Sequence, residues 1–290
     1  MILAHHPVAL DGWWAQWTFE PATAALIAAA AVLYGVGRGR LRRRGRAQHA
    51  PSARATAFYA GLALLALALL SPIHALGETL FSAHMVQHLL LILGVAPLLV
   101  YGAPLLPVLL ALPPAVRRDV GVLRHAPLVG WSVRTVMHPL VVWGLHALVL
   151  WTWHLPGLYR AALEDPLLHV LEHSSLLLTA IAFWYLVMAT GARRRLALGP
   201  AVLFVFTTGL QSGALGALLT FASRPLYPLH VHGARAWGVT PLADQELAGL
   251  IMWIPAGAAY LVAMAALLLA WLKDLERTHP GISVEAGDRA

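Results

Sequence analysis

The chain contains no cysteine among its 290 residues. Disulfide bonds, Cys-x-x-Cys redox chemistry and thiolate metal ligands are therefore all excluded. Charge is also scarce, because Asp, Glu, Lys and Arg together make up 11% of the residues, against about 25% in a soluble domain. Hydrophobic residues make up 59%, and the mean hydropathy is +0.70. This composition predicts an integral membrane protein.

The common catalytic motifs are missing as well. We find no P-loop, no GxGxxG in a βαβ context and no Ser nucleophile elbow. His84-Met-Val-Gln-His88 has the histidine spacing of a zincin, but Val86-Gln87 leaves no glutamate at the base position. We therefore expect a protein that is not an enzyme. Residues 1–14 show no basic region and no cleavage site after a short apolar core, so we expect no removable signal peptide.

Seven apolar stretches are long enough to cross a bilayer, which requires about 20 mostly apolar residues. We predict an all-α polytopic membrane protein built as a seven-transmembrane helix bundle. A single membrane domain is expected over 1–275, followed by a loose polar C-terminal tail over 276–290. The predicted spans are 17–37, 55–75, 80–101, 136–155, 167–190, 198–222 and 246–271.

The basic residues follow the predicted topology. The net charge is +7, but all of the 20 Lys and Arg except Arg160, Arg224 and Arg235 fall in alternate loops or the tail. An excess of Arg in short loops marks the cytoplasmic side. We therefore predict the N-terminus outside, the C-terminus in the cytoplasm, and a multi-pass protein of a bacterial-type inner or plasma membrane. The lipid bilayer is its expected surrounding, and no nucleic-acid partner is expected.

Six histidines fall in pairs near the predicted outer ends of three spans. Segments 81–88 and 168–173 each place two histidines four residues apart, which puts both rings on one helix face about one turn apart. Imidazole in a hydrocarbon setting is costly without a partner, so such a cluster indicates a functional site. The candidate metal ligands are His84, His88, His146, His154, His169 and His173.

Helix rise divides these histidines into two groups by depth. At 1.5 Å per residue, three lie near the outer boundary and three lie deeper. His138 would lie about 24 Å from His154 by the same rise and is excluded. The shallow tier contains His84, His154 and His169, and the deeper tier contains His88, His146 and His173.

Three imidazoles per tier form a common metal-binding set. Imidazole suits copper, zinc, iron and nickel, and three histidines with an open position are typical of metal sites. Glu172 or Asp165 could orient a ligating ring. Met85 and Met252 are methionines of the kind that usually serve packing, although a thioether would favour Cu(I). The sequence thus predicts metal binding by some subset of these residues.

Two other functions remain open from the residues alone. A metal or proton transporter would need a polar path from the deeper tier toward His138, and the apolar run after Ser175 argues against one. A haem-binding redox protein could hold haem between His88 and His173. The doubled i, i+4 spacing favours a bare metal ion over haem. A lone buried histidine, by contrast, is often only hydrogen-bonded.

The outer loop and the start of the last span carry further polar candidates. Asp244 or Glu246 either caps the last helix through the helix dipole or covers the histidine site. The loop over 223–245 is expected to pack on the bundle, and His230 and His232 either contact metal there or face solvent. His74 ends the second span on the same side.

The combination of motifs resembles the CtaG family of caa3-type cytochrome c oxidase assembly factors. The resemblance covers about 60–270, with Ala96-Pro97 where the family has Pro-Pro and His230 where it has an aromatic residue. The matching segments are His84-Met-x-Gln-His88, Pro97-Leu-Leu-x-x-Gly102, His138-Pro139, Trp153-His154-x-Pro156-x-x-Tyr159, His169-x-x-Glu172-His173, Tyr227-Pro228 and Asp244-Gln245-x-Leu-Ala-Gly249-x-x-Met-Trp253.

The resemblance implies a seven-span protein that handles copper for a haem–copper oxidase. Its expected ligand is copper, as Cu(I) or Cu(II), with zinc as a possible substitute. The expected partners are cytochrome c oxidase subunits and a periplasmic or extracellular copper donor. Release should be easy without cysteine, because imidazole holds Cu(I) less tightly than thiolate does.

Overall fold

The computed structural model describes residues 12–18, 20–49, 51–189 and 196–278, and every regular element within these ranges is helical. Short 3-10 turns occur at Trp13–Ala15, Ala47–His49 and Pro228–His230. In chain order the α-helices are α1 (Pro21–Arg43), α2 (Ser52–Leu70), α3 (Pro72–Thr79), α4 (Phe81–Leu89), α5 (Ala96–Gly102), α6 (Leu105–Ala111), α7 (Pro114–His125), α8 (Pro127–Val136), α9 (Pro139–Trp153), α10 (Pro156–Glu164), α11 (Pro166–Met188), α12 (Leu198–Thr220), α13 (Val231–Ala236) and α14 (Pro241–Thr278).

Six segments of the described chain are long and apolar enough to cross a membrane. A seventh span exists if the bent pair α8 and α9 counts as one, since these helices meet at 63°. The chain is therefore a multi-pass helical membrane protein. The prediction of one continuous helix over 136–155 differs from the structure, because α9 starts only at Pro139. His138 is its N-cap in an extended conformation, which is the conformation that a following proline favours.

The last helix is longer than predicted. It runs from Pro241 to Thr278 with Pro255 inside it, so it extends into the predicted polar tail. The remainder of that tail, 279–290, lies outside the described residues, as do the arginines at 193–195. The domain division and the side of the membrane on which each terminus lies stay predictions.

A wide π-helical turn, Leu90–Val95, joins α4 and α5 into one span. In such a turn a carbonyl accepts from the N–H five residues later. For Ile92 that residue is Pro97, which has no N–H to donate. The indole Nε1–H of Trp184 on α11 donates to the Ile92 oxygen instead, at 2.7 Å. This bond joins the two spans that carry the i, i+4 histidine pairs.

Helices α12 and α14 cross at a pair of glycines. A Cβ atom on Gly249 would lie 2.6 Å from the Gly216 carbonyl oxygen and 2.4 Å from the Thr220 hydroxyl oxygen. A Cβ atom on Gly216 would lie 2.9 Å from the Gly249 carbonyl oxygen. Small residues on both helices therefore allow this close helix packing. This contact seats α14 against the rest of the bundle.

Candidate metal centre

Helices α4 and α11 begin at the same end of the bundle, which we call the histidine end. The i, i+4 pairs near the N-termini of these helices face each other across Glu172. The Nε2 atom of His84 lies 3.5 Å from Glu172 Oε1, and Nε2 of His88 lies 3.4 Å from the same oxygen. We call the set His84, His88, His169, Glu172 and His173 the His–Glu cluster. All members except half-buried His169 are buried.

Four members of the His–Glu cluster satisfy a metal-site geometry. One ligand atom from each lies within 4.8 Å of the corresponding atoms of the others. His88 adjoins this group, with its ring centroid 4.5 Å from that of His84 and 5.5 Å from that of His173. The four members are His84, His169, Glu172 and His173.

Most polar atoms of the cluster have no hydrogen-bond partner among the residues that the structure describes. Both ring nitrogens of His84 and His88 are buried without one, as are both carboxylate oxygens of Glu172. The same holds for Nε2 of His169 and of His173. Buried polar atoms are normally paired, and the contacts of 3.4 and 3.5 Å to Glu172 are too long for good hydrogen bonds. A cation bound between imidazoles and a carboxylate would satisfy these atoms, so the residues fit a metal ion.

His154 lies beside this cluster and has partners of its own. Its Nδ1 is 2.7 Å from the Leu150 carbonyl oxygen, and its Nε2 is 3.3 Å from Met85 Sδ. Its ring centroid lies 5.6 Å from that of His88. The thioether of Met85 therefore lies next to the imidazoles.

His146 lies apart from the cluster, on the far side of a small cavity. Its Nδ1 is 3.1 Å from the Thr179 hydroxyl, and its ring stacks on Phe183. The cavity, about 20 Å³, is lined by His88, His146 and Met252 among others and has room for about one water molecule. The structure therefore groups the six histidines differently from the two predicted tiers. Four converge on Glu172, His154 adjoins them, and His146 stands separate.

A second set of ligand-type side chains lies at the rim of the cluster. His74, Glu78 and His169 also offer ligand atoms within 4.8 Å of one another, and we call them the rim group. The His74 ring stacks on His169 at 5.3 Å between centroids. The side chains of His74 and Glu78 are 20% and 32% exposed. Sequence reasoning placed His74 on the correct side but did not pair it with Glu78, although the two are four residues apart.

Gln87 fixes the position of the His74 ring. Its amide nitrogen donates to the Ala68 carbonyl oxygen at 2.8 Å and lies 3.2 Å from His74 Nδ1. Gly77 makes room for this amide, because a Cβ there would lie 2.1 Å from Gln87 Oε1. Burial lowers the pKa of His74, and the Glu78 carboxylate partly opposes this shift. A neutral imidazole is the form that binds metal.

Aromatic side chains cover the cluster at the histidine end. Tyr159 lies 5.1 Å from His84 between ring centroids, and its hydroxyl is 2.7 Å from His230 Nε2. Burial raises the pKa of Tyr159 and lowers that of His230 to about 4, so two neutral groups share this hydrogen bond. Tyr227 donates to the His154 carbonyl oxygen at 2.7 Å. The outer loop thus packs on the bundle as predicted, while His232 is exposed.

Asp244 caps a helix other than its own. Its carboxylate, on α14, accepts from the backbone N–H groups of Phe81 and Ser82 at 2.8 and 3.2 Å, and from the Ser82 hydroxyl. These are the first residues of α4, whose free N–H groups need acceptors. Asp244 therefore holds the helix that carries His84 and His88. Asp165 acts locally and caps α11 through Leu167 and Leu168.

We expect Asp244→Ala to destabilise the protein by about 1–3 kcal/mol, because it leaves buried backbone donors of α4 without an acceptor. Thermal unfolding in detergent measures the change. Asp244→Asn keeps one acceptor oxygen and should lose less, and Glu246→Ala, half-buried on the same helix, should have little effect. Equal unfolding temperatures for Asp244→Ala and Glu246→Ala would contradict the capping role.

The fold and the site define a class: a polytopic α-helical membrane protein with a buried histidine–glutamate cluster at one end of its bundle. The chain belongs to the family of cytochrome c oxidase caa3 assembly factors, whose family model matches residues 32–274. The resemblance seen in the motifs is thereby confirmed.

Two curated relatives, from Mycobacterium bovis and Mycobacterium tuberculosis, are described only as uncharacterized proteins. Each is 26% identical to the chain over 271 residues, which is 90% of the chain. The chain spans only 40% of the length of these relatives. No solved structure matches the chain.

Proposed function

We propose that the chain is a copper-binding assembly factor of a bacterial-type plasma membrane. It receives copper at the outer face and supplies it to the copper centres of a haem–copper cytochrome c oxidase. The observation that carries this proposal is the His–Glu cluster, in which six ring nitrogens and both carboxylate oxygens are buried without a hydrogen-bond partner in the described part of the chain. Membership of the family supports a cytochrome c oxidase as the partner, and the chemistry of the ligand side chains supports copper as the metal.

Copper is the metal that the donor set favours. Imidazole suits both Cu(I) and Cu(II), and the Irving–Williams order places copper above zinc at such a site. Met85 Sδ lies 3.3 Å from His154 Nε2, so a soft thioether borders the cluster, as Cu(I) prefers. Zinc is the expected substitute when copper is absent. The copper ion is cargo in this proposal, and the protein catalyses no reaction on it.

The placement of the cluster suits receipt and delivery at one membrane face. The positive-inside rule puts the histidine end on the outer side, where a periplasmic or extracellular donor and the oxidase copper centres are accessible. His138, which a path across the membrane would use, is the N-cap of α9 at the opposite end of that helix from His154. Its position favours one-sided copper handling over transport.

Metal analysis of the purified protein tests this proposal. We expect wild-type protein to retain copper after loading and desalting, and His88→Ala/His173→Ala to lose most of it, because both imidazoles flank Glu172 in the cluster. The matched control is His138→Ala/His232→Ala, which removes two histidines outside the cluster and should retain copper. Wild-type protein without copper, or a cluster variant with as much copper as the control, would overturn the proposal. Thermal unfolding checks that each variant is folded.

The role in oxidase assembly requires a second measurement. Copper content of a caa3-type oxidase is compared in cells that carry wild-type protein, the cluster variant or the control variant. We expect the oxidase from cells with the cluster variant to be copper-depleted, and the oxidase from the other two to be loaded. If the oxidase contains equal copper in all three kinds of cells, copper binding by the cluster does not contribute to oxidase maturation, and the assembly role is refuted.

A further inference from the structure

We infer that the rim group, His74, Glu78 and His169, is a second copper site that takes up the ion and passes it to the His–Glu cluster through His169. This inference rests on the proposed function, since it names the route by which copper reaches the same centre. It adds a distinct site with two residues, His74 and Glu78, that lie on α3 and outside the two histidine pairs.

His169 belongs to both ligand sets. It forms one group with His74 and Glu78 and another with His84, Glu172 and His173, each with ligand atoms within 4.8 Å. Its ring centroid lies 5.3 Å from that of His74 and 4.5 Å from that of His173. A shared ligand lets an ion keep one bond to the protein while it exchanges the others.

Exposure decreases from the rim group to the cluster. The side chains of His74 and Glu78 are 20% and 32% exposed, whereas those of His84 and Glu172 are 0% exposed. An ion arriving from water therefore meets the rim group first. Tyr159 lies against His84, and Phe81 and Tyr227 pack on Tyr159. Within the described residues, the exposed fractions of His74 and Glu78 therefore make the rim group the more open approach.

The charges also favour this direction. Glu78 is a half-exposed carboxylate 3.8 Å from His74 Nε2 and attracts a cation at the surface. The deeper set adds imidazoles around a fully buried carboxylate, where each interaction with the ion is stronger because water is excluded. The rim group therefore suits capture, and the His–Glu cluster suits retention.

The transfer is a ligand exchange without redox chemistry. The copper–nitrogen bond to His74 and the copper–oxygen bond to Glu78 break as bonds to His84, His173 or Glu172 form, while His169 stays bound. The oxidation state of copper is unchanged, and no electron donor or acceptor is needed. His74 and His173 are 6.5 Å apart between ring centroids, so the ion moves only a short distance.

The rate of copper uptake tests the inference separately from the amount bound. Apo-protein in detergent is mixed with copper in stopped flow, and bound copper is also measured at equilibrium. We expect His74→Ala/Glu78→Gln to load more slowly by about tenfold or more, at the low end of the range for steering of an ion by charged groups, and to reach the wild-type copper content. The control His232→Ala/Glu164→Gln changes an exposed histidine and an exposed glutamate at the same end and should load at the wild-type rate.

Each outcome separates the two proposals. Wild-type protein that binds no copper refutes the proposed function itself. If wild type binds copper and the rim variant loads at the control rate, the second site is refuted while the proposed function stands. If the rim variant fails to reach the wild-type content while thermal unfolding shows it folded, His74 and Glu78 belong to the retaining centre, and the two-site route is refuted.

Discussion

Glu172→Gln is expected to weaken copper binding by about 10- to 100-fold, the range found when a carboxylate that supports metal ligands is removed. Glutamine has nearly the same shape, so the packing of α11 against α4 is retained. The change removes the negative charge that faces the Nε2 atoms of His84 and His88 at 3.5 and 3.4 Å. A copper ion among neutral imidazoles then lacks its counter-charge.

The apo-protein should respond in the opposite direction. Both oxygens of Glu172 are buried, and no described residue donates a hydrogen bond to them. Such a carboxylate costs folding free energy. We therefore expect Glu172→Gln to be as stable as wild type, or more stable, when unfolded thermally in the presence of a chelator. Copper affinity is measured by competition with a calibrated chelator. Glu164→Gln is the control, because Glu164 is exposed and pairs with Arg160 at 2.8 Å.

Two results would contradict this account of Glu172. Unchanged copper affinity would mean that the carboxylate does not serve the metal. A large loss of apo-protein stability would mean that Glu172 is a structural residue, satisfied by the imidazoles alone. Weaker copper binding together with retained apo-protein stability is expected only of a residue that serves the metal and not the fold.

Gly249→Ala is expected to destabilise the protein by about 1–3 kcal/mol, as insertion into a packed interface does. The added Cβ would lie 2.6 Å from the Gly216 carbonyl oxygen and 2.6 Å from the Thr220 backbone nitrogen. Backbone atoms cannot swing aside, so α12 and α14 must separate. Because Asp244 on α14 caps α4, the displacement should also reduce copper retention.

Gly257→Ala is the matched control for this change. It lies on the same helix, and a Cβ there would meet no atom of the described residues within 4 Å. Alanine has a higher helix propensity than glycine, so this variant should be unchanged or more stable by up to about 1 kcal/mol. Thermal unfolding of the two variants in one detergent makes the comparison. If both alanine variants shift the unfolding temperature equally, the proposed close contact of α12 and α14 at Gly249 is refuted.

The convergence of α4 and α11 could be predicted because it depends on period and length. Two histidines four residues apart must share a helix face, and spans of similar length place the pairs at similar depth. His146 shows the limit of that reasoning. Helix rise gives the depth of a residue but not the direction in which its side chain points, and His146 points toward Thr179 and Phe183.

Other features depend on contacts that no local pattern encodes. Asp244 and Phe81 are 163 positions apart, so the cap on α4 could not be distinguished from a cap on α14. Glu172 was singled out only as a residue that could orient a ligand, because the number of imidazoles turned toward it depends on tertiary packing. The break before α9 had a local signal in Pro139, which disfavours helix at His138.

The wide turn at Leu90–Val95 has a consequence for how the span tolerates change. A π-helical turn takes in one residue more than an α-helical turn, so the span holds an extra residue between His88 and α5 at nearly the same phase. Deleting one residue there should let the turn close as an ordinary α-helix and leave the histidines facing as they do. A deletion within α4 has no wide turn to absorb it, and it would rotate the residues before it by about 100° relative to α5.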